Sequence, residues 1–397
     1  MRAHFESLIV LIFVLSCPSV PAQSLGETVT TSPAAEPPCG RLLSFPMFLE
    51  ANRALVDGIP LPSVQSRWSF PESESLQITP QLLKIGLSPE LVTSLTLPGR
   101  AVRSEGWIHL FPSSDAILSL DANVRASLYQ LLARYEVNEF YQSPVLILTD
   151  TVEEWYRTSK LRPELVNLIA RLVCRRGQIW AFSDLPLVIA QARDENEARE
   201  IFKTFTRTRA YIVYLDIHPQ MDTARIKKYW SVGGRSGRLK DIEPIIESLS
   251  ASGRDADLDL GHILPPLVRK LLYSYPGPEH AAKGILPDCH WTCLNFFNYE
   301  PHDYLLDSRL ATSKVLECFE PVSPPYEYGD ILFILDDEQG NAFHSCVYLA
   351  EDLVFTKNGR NQIVPWIIST LDDVKRVYLS LTPGHLQGYR LRSGPGS

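Results

Sequence analysis

The sequence has no apolar run long enough to cross a membrane as a helix. The run Leu8–Leu15 has eight residues, whereas a membrane-spanning helix needs about twenty. A surplus of positive charge is also absent, because 38 Lys and Arg stand against 46 Asp and Glu and give a net charge of −8. Nucleic-acid binding depends on Lys and Arg contacts to phosphates. The composition therefore argues against nucleic acid as a partner.

Cysteines are few, and no internal repeat of fixed period is present. One of the seven cysteines, Cys17, lies in the N-terminal leader. A catalytic thiol among the other six would leave five, which cannot all pair within one chain. The cysteine count alone therefore does not identify a disulfide scaffold.

The N-terminus has the order of a secretory signal peptide. Arg2 precedes the apolar run, and Val20 and Ala22 place small residues before a cleavage site after Ala22. We therefore predict a signal peptide at 1–22, a flexible lead-in at 23–41, and a periplasmic or extracellular protein with no membrane span in the mature chain. Lipid attachment at Cys17 is the alternative, although Leu15 stands where lipoproteins usually have a small residue.

Residues 42–275 alternate between helical and strand patterns and are predicted to form a mixed α/β region of unidentified role. Helices are predicted near 121–135, 163–174 and 196–205, and strands near 145–148, 179–182 and 211–217. The segment Tyr275-Pro276-Gly277-Pro278 is a strong break. We place a domain boundary there and assign 276–397 to a second, α+β domain.

Cys289 has the position expected of a nucleophile. It follows Asp288 at the start of a predicted helix, where the partial positive charge of the helix end favours a thiolate. Cys293 lies one turn further along, where the helix interior has no free N–H groups to stabilise an anion. We therefore predict that Cys289 is reactive and that Cys293 packs in the core.

A histidine on a strand supplies a candidate base. Ile331–Leu335 and Phe343–Leu349 read as an antiparallel hairpin, and His344 opens the second strand. A third short strand, Leu353–Thr356, leads into Lys357-Asn358-Gly359. A cysteine paired with such a histidine is the arrangement that nucleophilic catalysis needs.

These motifs, in this order, resemble the NlpC family of papain-like cell-wall hydrolases over about 95 of the 397 residues. The motifs are Asp288-Cys289, Gly329-Asp330 with its apolar strand, and the segment from His344 to Leu349. The resemblance implies an antiparallel sheet with a nucleophile helix, Cys289 as nucleophile and His344 as base. It also implies a peptidoglycan stem peptide or a related amide as substrate. We predict no cofactor.

In the family a third polar residue orients the histidine. Its counterpart here lies among Thr356, Lys357 and Asn358. We favour Asn358, because an amide oxygen accepts an imidazole N–H whereas a lysine accepts nothing.

Three other interpretations stay open from the residues. Cys289, His290, His344 and Cys346 can be read as zinc ligands, but their spacing matches no common pattern. A disulfide from Cys289 to Cys318 or Cys346 would remove the nucleophile. A catalytically silent module of an envelope binding protein, with 42–275 performing recognition, is the alternative to a cysteine hydrolase.

Overall fold

The computed structural model describes residues 37–97, 99–232, 239–277, 280, 282, 284–380 and 382–392. The predicted signal peptide, the Cys17 position and most of the predicted lead-in lie outside the described residues. The first strand begins at Arg41, the last residue assigned to the lead-in.

The strands alternate with short helices along the chain. They are β1 (Arg41–Leu49), β2 (Trp68–Pro71), β3 (Val102–Ser104), β4 (Trp107–Leu110), β5 (Val145–Ile147), β6 (Cys174–Arg176), β7 (Ile179–Phe182), β8 (Thr208–Ile217), β9 (Ala256–Asp259), β10 (Phe319–Val322), β11 (Ile331–Asp336), β12 (Ala342–Ala350), β13 (Leu353–Lys357), β14 (Trp366–Thr370) and β15 (Gly384–Leu391).

Most helices lie before residue 272. In chain order the α-helices are Arg53–Asp57, Ser75–Ile85, Pro89–Thr96, Ser114–Ser119, Ala122–Leu132, Glu139–Gln142, Val152–Tyr156, Pro163–Leu172, Leu185–Ile189, Glu195–Phe205, Thr223–Trp230, Leu239–Ala251, Pro266–Leu271, Cys289–Leu294, Ser308–Cys318 and Leu371–Leu379. The helix Cys289–Leu294, which begins at the predicted nucleophile, is called the nucleophile helix below.

The sheets are antiparallel, which with the helices makes an α+β fold. Three sheets of three strands have the orders β1-β8-β9, β2-β4-β3 and β5-β7-β6. The fourth sheet has the order β10-β15-β11-β12-β13-β14, and the nucleophile helix packs against its β12 and β13. The hairpin and third strand predicted from the sequence are β11, β12 and β13 of this sheet.

Two larger hydrophobic cores hold the described residues together. One lies within residues 68–205. The other is shared, because it joins Trp230 and Ile246 to Trp291 and Phe355. The described residues from Pro37 onwards form one compact unit, and the boundary between 275 and 276 remains a sequence prediction.

Backbone and ionic contacts also join the two regions. Leu272 forms a parallel bridge with Trp366 of β14. The Tyr273 N–H donates to the Trp366 carbonyl at 2.8 Å, and the Trp366 N–H donates to the Ser274 carbonyl at 3.1 Å. On β8, Arg209 pairs through two nitrogens with Asp373 of the helix Leu371–Leu379.

The Gly-Asp motif, Gly329-Asp330, lies directly before β11 and has a structural role. Gly329 has φ +90, and a Cβ there would lie 2.5 Å from the Phe297 ring, so glycine is required. The next residue, Asp330, is buried and accepts two hydrogen bonds from Arg390 of β15, at 2.8 and 2.7 Å. The motif therefore ties the start of β11 to β15.

Candidate active site

Cys289 is the first residue of the nucleophile helix. The Asp288 carboxylate caps this helix and accepts the Trp291 N–H at 2.9 Å, which uses one of the free N–H groups of the first turn. Cys289 is 5% exposed. The sequence therefore places the sulfur at a helix start, as predicted, but in a nearly closed environment.

The thiols near the site differ in acidity. Burial by itself favours the protonated Cys289 thiol, but the neighbouring His344 imidazole and a hydrogen bond from the Ser345 N–H outweigh it. The pKa of Cys289 is therefore below that of an ordinary thiol. Burial raises the pKa of Cys293 well above its usual range, and it also raises the pKa of Cys346. Among these three cysteines, only Cys289 has a pKa below that of an ordinary thiol.

His344 is fully buried on β12, and one of its ring nitrogens contacts Thr356 on β13. Thr356 Oγ1 lies 3.1 Å from His344 Nε2 and donates to the Ser345 carbonyl at 3.2 Å. Because that hydroxyl proton is used, Thr356 Oγ1 accepts a hydrogen bond from His344 Nε2–H. His344 Nδ1 is buried and makes no hydrogen bond of standard geometry within the described part of the chain. Nδ1 is thus the atom available to take the Cys289 proton.

The structure brings Cys289 and His344 together but does not bring Asn358 to the imidazole. Asn358 lies just beyond the end of β13, and its buried Oδ1 has no hydrogen-bond partner in the described residues. The orienting contact that we assigned to Asn358 is made by Thr356, which the sequence had left as an alternative. The physical reason is that the register of Val347 with Phe355 sets Thr356 opposite Cys346, on the same face of the sheet as His344, whereas β13 ends at Lys357, before Asn358 could pair with His344.

Lys357 supports the loop after β13. Its side chain is fully buried, and Nζ donates to the carbonyls of Gly359 and Asn361, each at 2.8 Å. Burial lowers the pKa of Lys357 to about 8, and the negative charges at Cys289 and Asp288 act in the opposite direction. The lysine is therefore a buried cation near the nucleophile.

His290 is close to the nucleophile in sequence but is held elsewhere. Its Nδ1 lies 3.0 Å from Ser345 Oγ, and its ring stacks on Phe333 with centroids 5.8 Å apart. Burial lowers the pKa of the His290 imidazole. These contacts make His290 a neutral ring packed between the nucleophile helix and the sheet, and they leave His344 as the candidate base.

No sequence pattern pointed to Tyr378 as part of the site. This residue is in the last turn of the helix Leu371–Leu379, and its ring stacks on His344 with centroids 3.8 Å apart and planes inclined by 14°. Burial raises the pKa of the Tyr378 phenol well above its usual range, so it stays neutral. The contact spans 34 positions along the chain, which no local spacing reveals.

Arg360 connects the loop after β13 to the nucleophile helix. Its Nη2 donates to Asp288 Oδ2 at 2.6 Å, while Asp288 Oδ1 caps the helix. A cavity of about 490 Å³ adjoins these residues. Asp288, His290 and Arg360 line it together with apolar side chains that include Leu294, Leu305 and Phe333. Polar side chains next to Cys289 in sequence or in contact with Asp288 thus border a largely apolar cavity.

The described ranges hold neither a candidate metal site nor a disulfide. They contain no group of three or more His, Cys, Asp or Glu side chains suited to a metal ion, so the four residues considered for zinc do not form such a group. None of the described cysteines is in a disulfide, including Cys289, Cys318 and Cys346. Within the same ranges, no helix has the length and apolar character needed to span a membrane.

The site thus consists of a cysteine at a helix start, a buried histidine beside it, a threonine on the far ring nitrogen and a tyrosine over the ring.

In comparisons with known proteins, the chain matches no family model, no curated protein and no solved structure.

Proposed function

We propose that the protein is an exported cysteine hydrolase that cleaves an amide bond by acyl transfer. The observation that carries the proposal is the placement of Cys289 at the start of the nucleophile helix beside the buried His344, whose Nε2 contacts Thr356. The lowered pKa of Cys289, against the raised pKa values of Cys293 and Cys346, agrees with it. A nucleophilic cysteine requires thiolate character and an adjacent base.

The reaction begins with transfer of the Cys289 proton to His344 Nδ1. The thiolate attacks the amide carbonyl, and the resulting oxyanion develops next to the Cys289 N–H, which has no intrahelical acceptor at this first position of the helix. His344 then gives its proton to the leaving amine, and the C–N bond breaks. Water, deprotonated by His344, hydrolyses the thioester and restores the free thiol.

The proposed substrate is a peptidoglycan stem peptide or a related amide, and the proposed domain type is the NlpC-like papain fold. Both rest on the resemblance of the motifs around Cys289 and His344. The antiparallel arrangement of β11, β12 and β13 beside the nucleophile helix supports the fold assignment. The apolar cavity beside Asp288 and His290 offers space for a side chain next to the scissile bond.

A catalytically silent module is the second candidate, and the burial of the site favours it. His344 is fully buried, Cys289 is 5% exposed, and the Tyr378 ring covers the imidazole. In that case Cys289 and His344 form a buried polar pair, and recognition falls to the rest of the molecule.

Thiol alkylation across pH separates the two candidates. We expect iodoacetamide to modify Cys289 below the pH at which the more exposed Cys318 reacts, and His344→Ala to move the Cys289 profile to higher pH because burial then acts unopposed. The matched control is Cys293→Ala, which should leave the profile in place. Equal reactivity of Cys289 and Cys318 near neutral pH would exclude the hydrolase.

A further inference from the structure

The helix Leu371–Leu379 covers the face of the six-stranded sheet that carries the candidate base. Its buried Leu371 and Val374 pack in a small hydrophobic core with Cys346 of β12. Side chains two positions apart lie on the same face of a strand. His344 is therefore on the side of β12 that this helix covers.

Two contacts hold the His344 ring, and they restrict different motions. Thr356 Oγ1 lies 3.1 Å from Nε2 and so fixes the position of one ring atom. The χ2 torsion of histidine has broad preferences, so a contact at one atom leaves the ring plane free to tilt. The Tyr378 ring lies on the imidazole with centroids 3.8 Å apart and planes inclined by 14°, and this contact fixes the plane. The direction in which Nδ1 points therefore depends on both residues.

The stack also favours the charged form of the base. The face of an aromatic ring carries partial negative charge and attracts a cation placed over it. Tyr378 presents that face to His344, and its phenol stays neutral because burial raises its pKa. The imidazolium that forms when Cys289 gives up its proton is therefore more stable over this ring than over an aliphatic side chain.

The helix that carries this tyrosine is tied to the first predicted region, residues 42–275. Arg209 of β8 pairs through two nitrogens with Asp373 in the first turn of the helix. Further along the helix, Arg376 donates to the Leu148 carbonyl at 3.3 Å. A guanidinium that binds a carboxylate through two nitrogens fixes orientation as well as distance. The first region thus sets where the helix lies on the sheet.

From these contacts we infer that Tyr378 is a positioning residue for His344. Residues 42–275 set its place through the pair of Arg209 with Asp373. The inference rests on the proposed function, because it assumes that His344 takes the proton of a nucleophile. It gives the first region a role in the reaction, which is to align the base from a distance.

Alkylation of Cys289 across pH tests the role of the ring. We expect Tyr378→Leu to move the Cys289 profile about one pH unit higher, because the imidazolium loses the aromatic face. Tyr378→Phe keeps that face and should react as the unaltered protein does. Tyr326→Leu is the matched control, since Tyr326 packs against the same small core but stacks on Tyr348. Its profile should not move.

A further replacement separates the charge of the ring face from the packing of the ring. Pentafluorophenylalanine at position 378 keeps the shape of the ring and reverses the charge of its face. We expect it to move the Cys289 profile in the same direction as Tyr378→Leu. This result is available even if Tyr378→Leu does not fold.

The motion of the His344 ring gives a readout that does not need a reactive thiol. We expect ¹³C relaxation to show a more mobile ring in Tyr378→Leu and an unchanged ring in Tyr378→Phe, also when each carries Cys289→Ala. An unchanged ring in Tyr378→Leu, or a reactive Cys289 with an unchanged profile there, would overturn the role of Tyr378. A Cys289 in the unaltered protein that is no more reactive than Cys318 would instead overturn the hydrolase.

The contribution of the first region is tested by a double replacement. Arg209→Met with Asp373→Asn removes both charges, so that neither is left buried alone. We expect the Cys289 profile to move in the same direction by roughly half a pH unit. Arg162→Met with Glu197→Gln removes a similar pair, 2.6 Å long, within the first region and should leave the profile in place. No shift in the first double variant, or an equal shift in both, would overturn the role of the first region.

Discussion

At the scale of single residues, the site depends on small differences in environment between similar groups. Cys289 and Cys293 are in the same short helix and both are buried, yet their pKa values move in opposite directions. The difference arises because Cys289 borders His344 and the Ser345 N–H, whereas burial dominates at Cys293. Reactivity here is therefore a property of neighbours and not of residue type.

Replacement of Thr356 tests which residue orients the histidine. Thr356→Val keeps the shape of the side chain and removes the hydroxyl that contacts His344 Nε2. We expect the second-order rate of Cys289 alkylation at pH 7 to fall by about tenfold, because the imidazole loses the contact that fixes its tautomer. Asn358→Ala is the comparison and should leave the rate unchanged. A larger effect of Asn358→Ala would restore the assignment made from the sequence.

Lys357 should make the free energy of unfolding depend on pH in the alkaline range. Its pKa is about 8 in the folded chain against 10.5 for an ordinary lysine, so the unfolded chain binds more protons between these values and stability rises with pH there. This corresponds to roughly 3 kcal/mol of destabilisation at neutral pH that disappears above the higher pKa. As the pH rises from 8 to 10.5, the unaltered protein should therefore gain roughly 3 kcal/mol of unfolding free energy that Lys357→Met does not gain.

Urea unfolding at a series of pH values measures this change. Lys84→Met is the control, because Lys84 is exposed and its removal should produce no such trend. A difference between Lys357→Met and the unaltered protein that stays constant from pH 7 to 10.5 would show that Lys357 titrates normally.

At the scale of elements, one aspartate has two separable tasks on the nucleophile helix. Asp288 caps the helix and pairs with Arg360, and its charge works against ionisation of Cys289. Asp288→Asn keeps a good cap and removes the charge, so we expect near-normal stability and a lower Cys289 pKa. Asp288→Ala loses the cap as well and should cost about 1 kcal/mol of unfolding free energy.

Thermal unfolding of the two Asp288 variants tests the helix cap. Their alkylation profiles test the effect of the Asp288 charge on the pKa of Cys289. The cap assignment fails if Asp288→Ala is as stable as Asp288→Asn. The electrostatic assignment fails if neither variant changes the Cys289 profile.

The elements of the site region could be predicted because their signals are local. The hairpin, the strand after it and the helix that begins at Cys289 follow from alternation, turn residues and an N-cap. The contact between Thr356 and His344 depends on register between β12 and β13, and Tyr378 reaches His344 from a distant helix. Such contacts are set by packing across the sheet, which sequence spacing does not encode.

At the scale of the whole molecule, the two predicted regions share a core and an ion pair. Trp230 and Ile246 pack in the same core as Trp291 and Phe355, and Arg209 pairs with Asp373. A chain of residues 276–397 alone would therefore lose part of its core. We expect it to lack the near-ultraviolet circular dichroism and cooperative urea transition of the longer chain, and a cooperative transition in the isolated segment would establish 276–397 as an independent domain.

The short segment Leu272–Ser274 has a further consequence. It pairs with Trp366 on β14, the last strand of the six-stranded sheet, and so occupies backbone groups on that strand's outer side. An uncovered edge strand is a template on which another chain can add its own strand. Cleavage or truncation at 275 would uncover this apolar edge if the segment departs, and the product should self-associate into β-rich aggregates. We therefore expect Leu272–Ser274 to protect the edge of β14 at Trp366 from pairing with another chain.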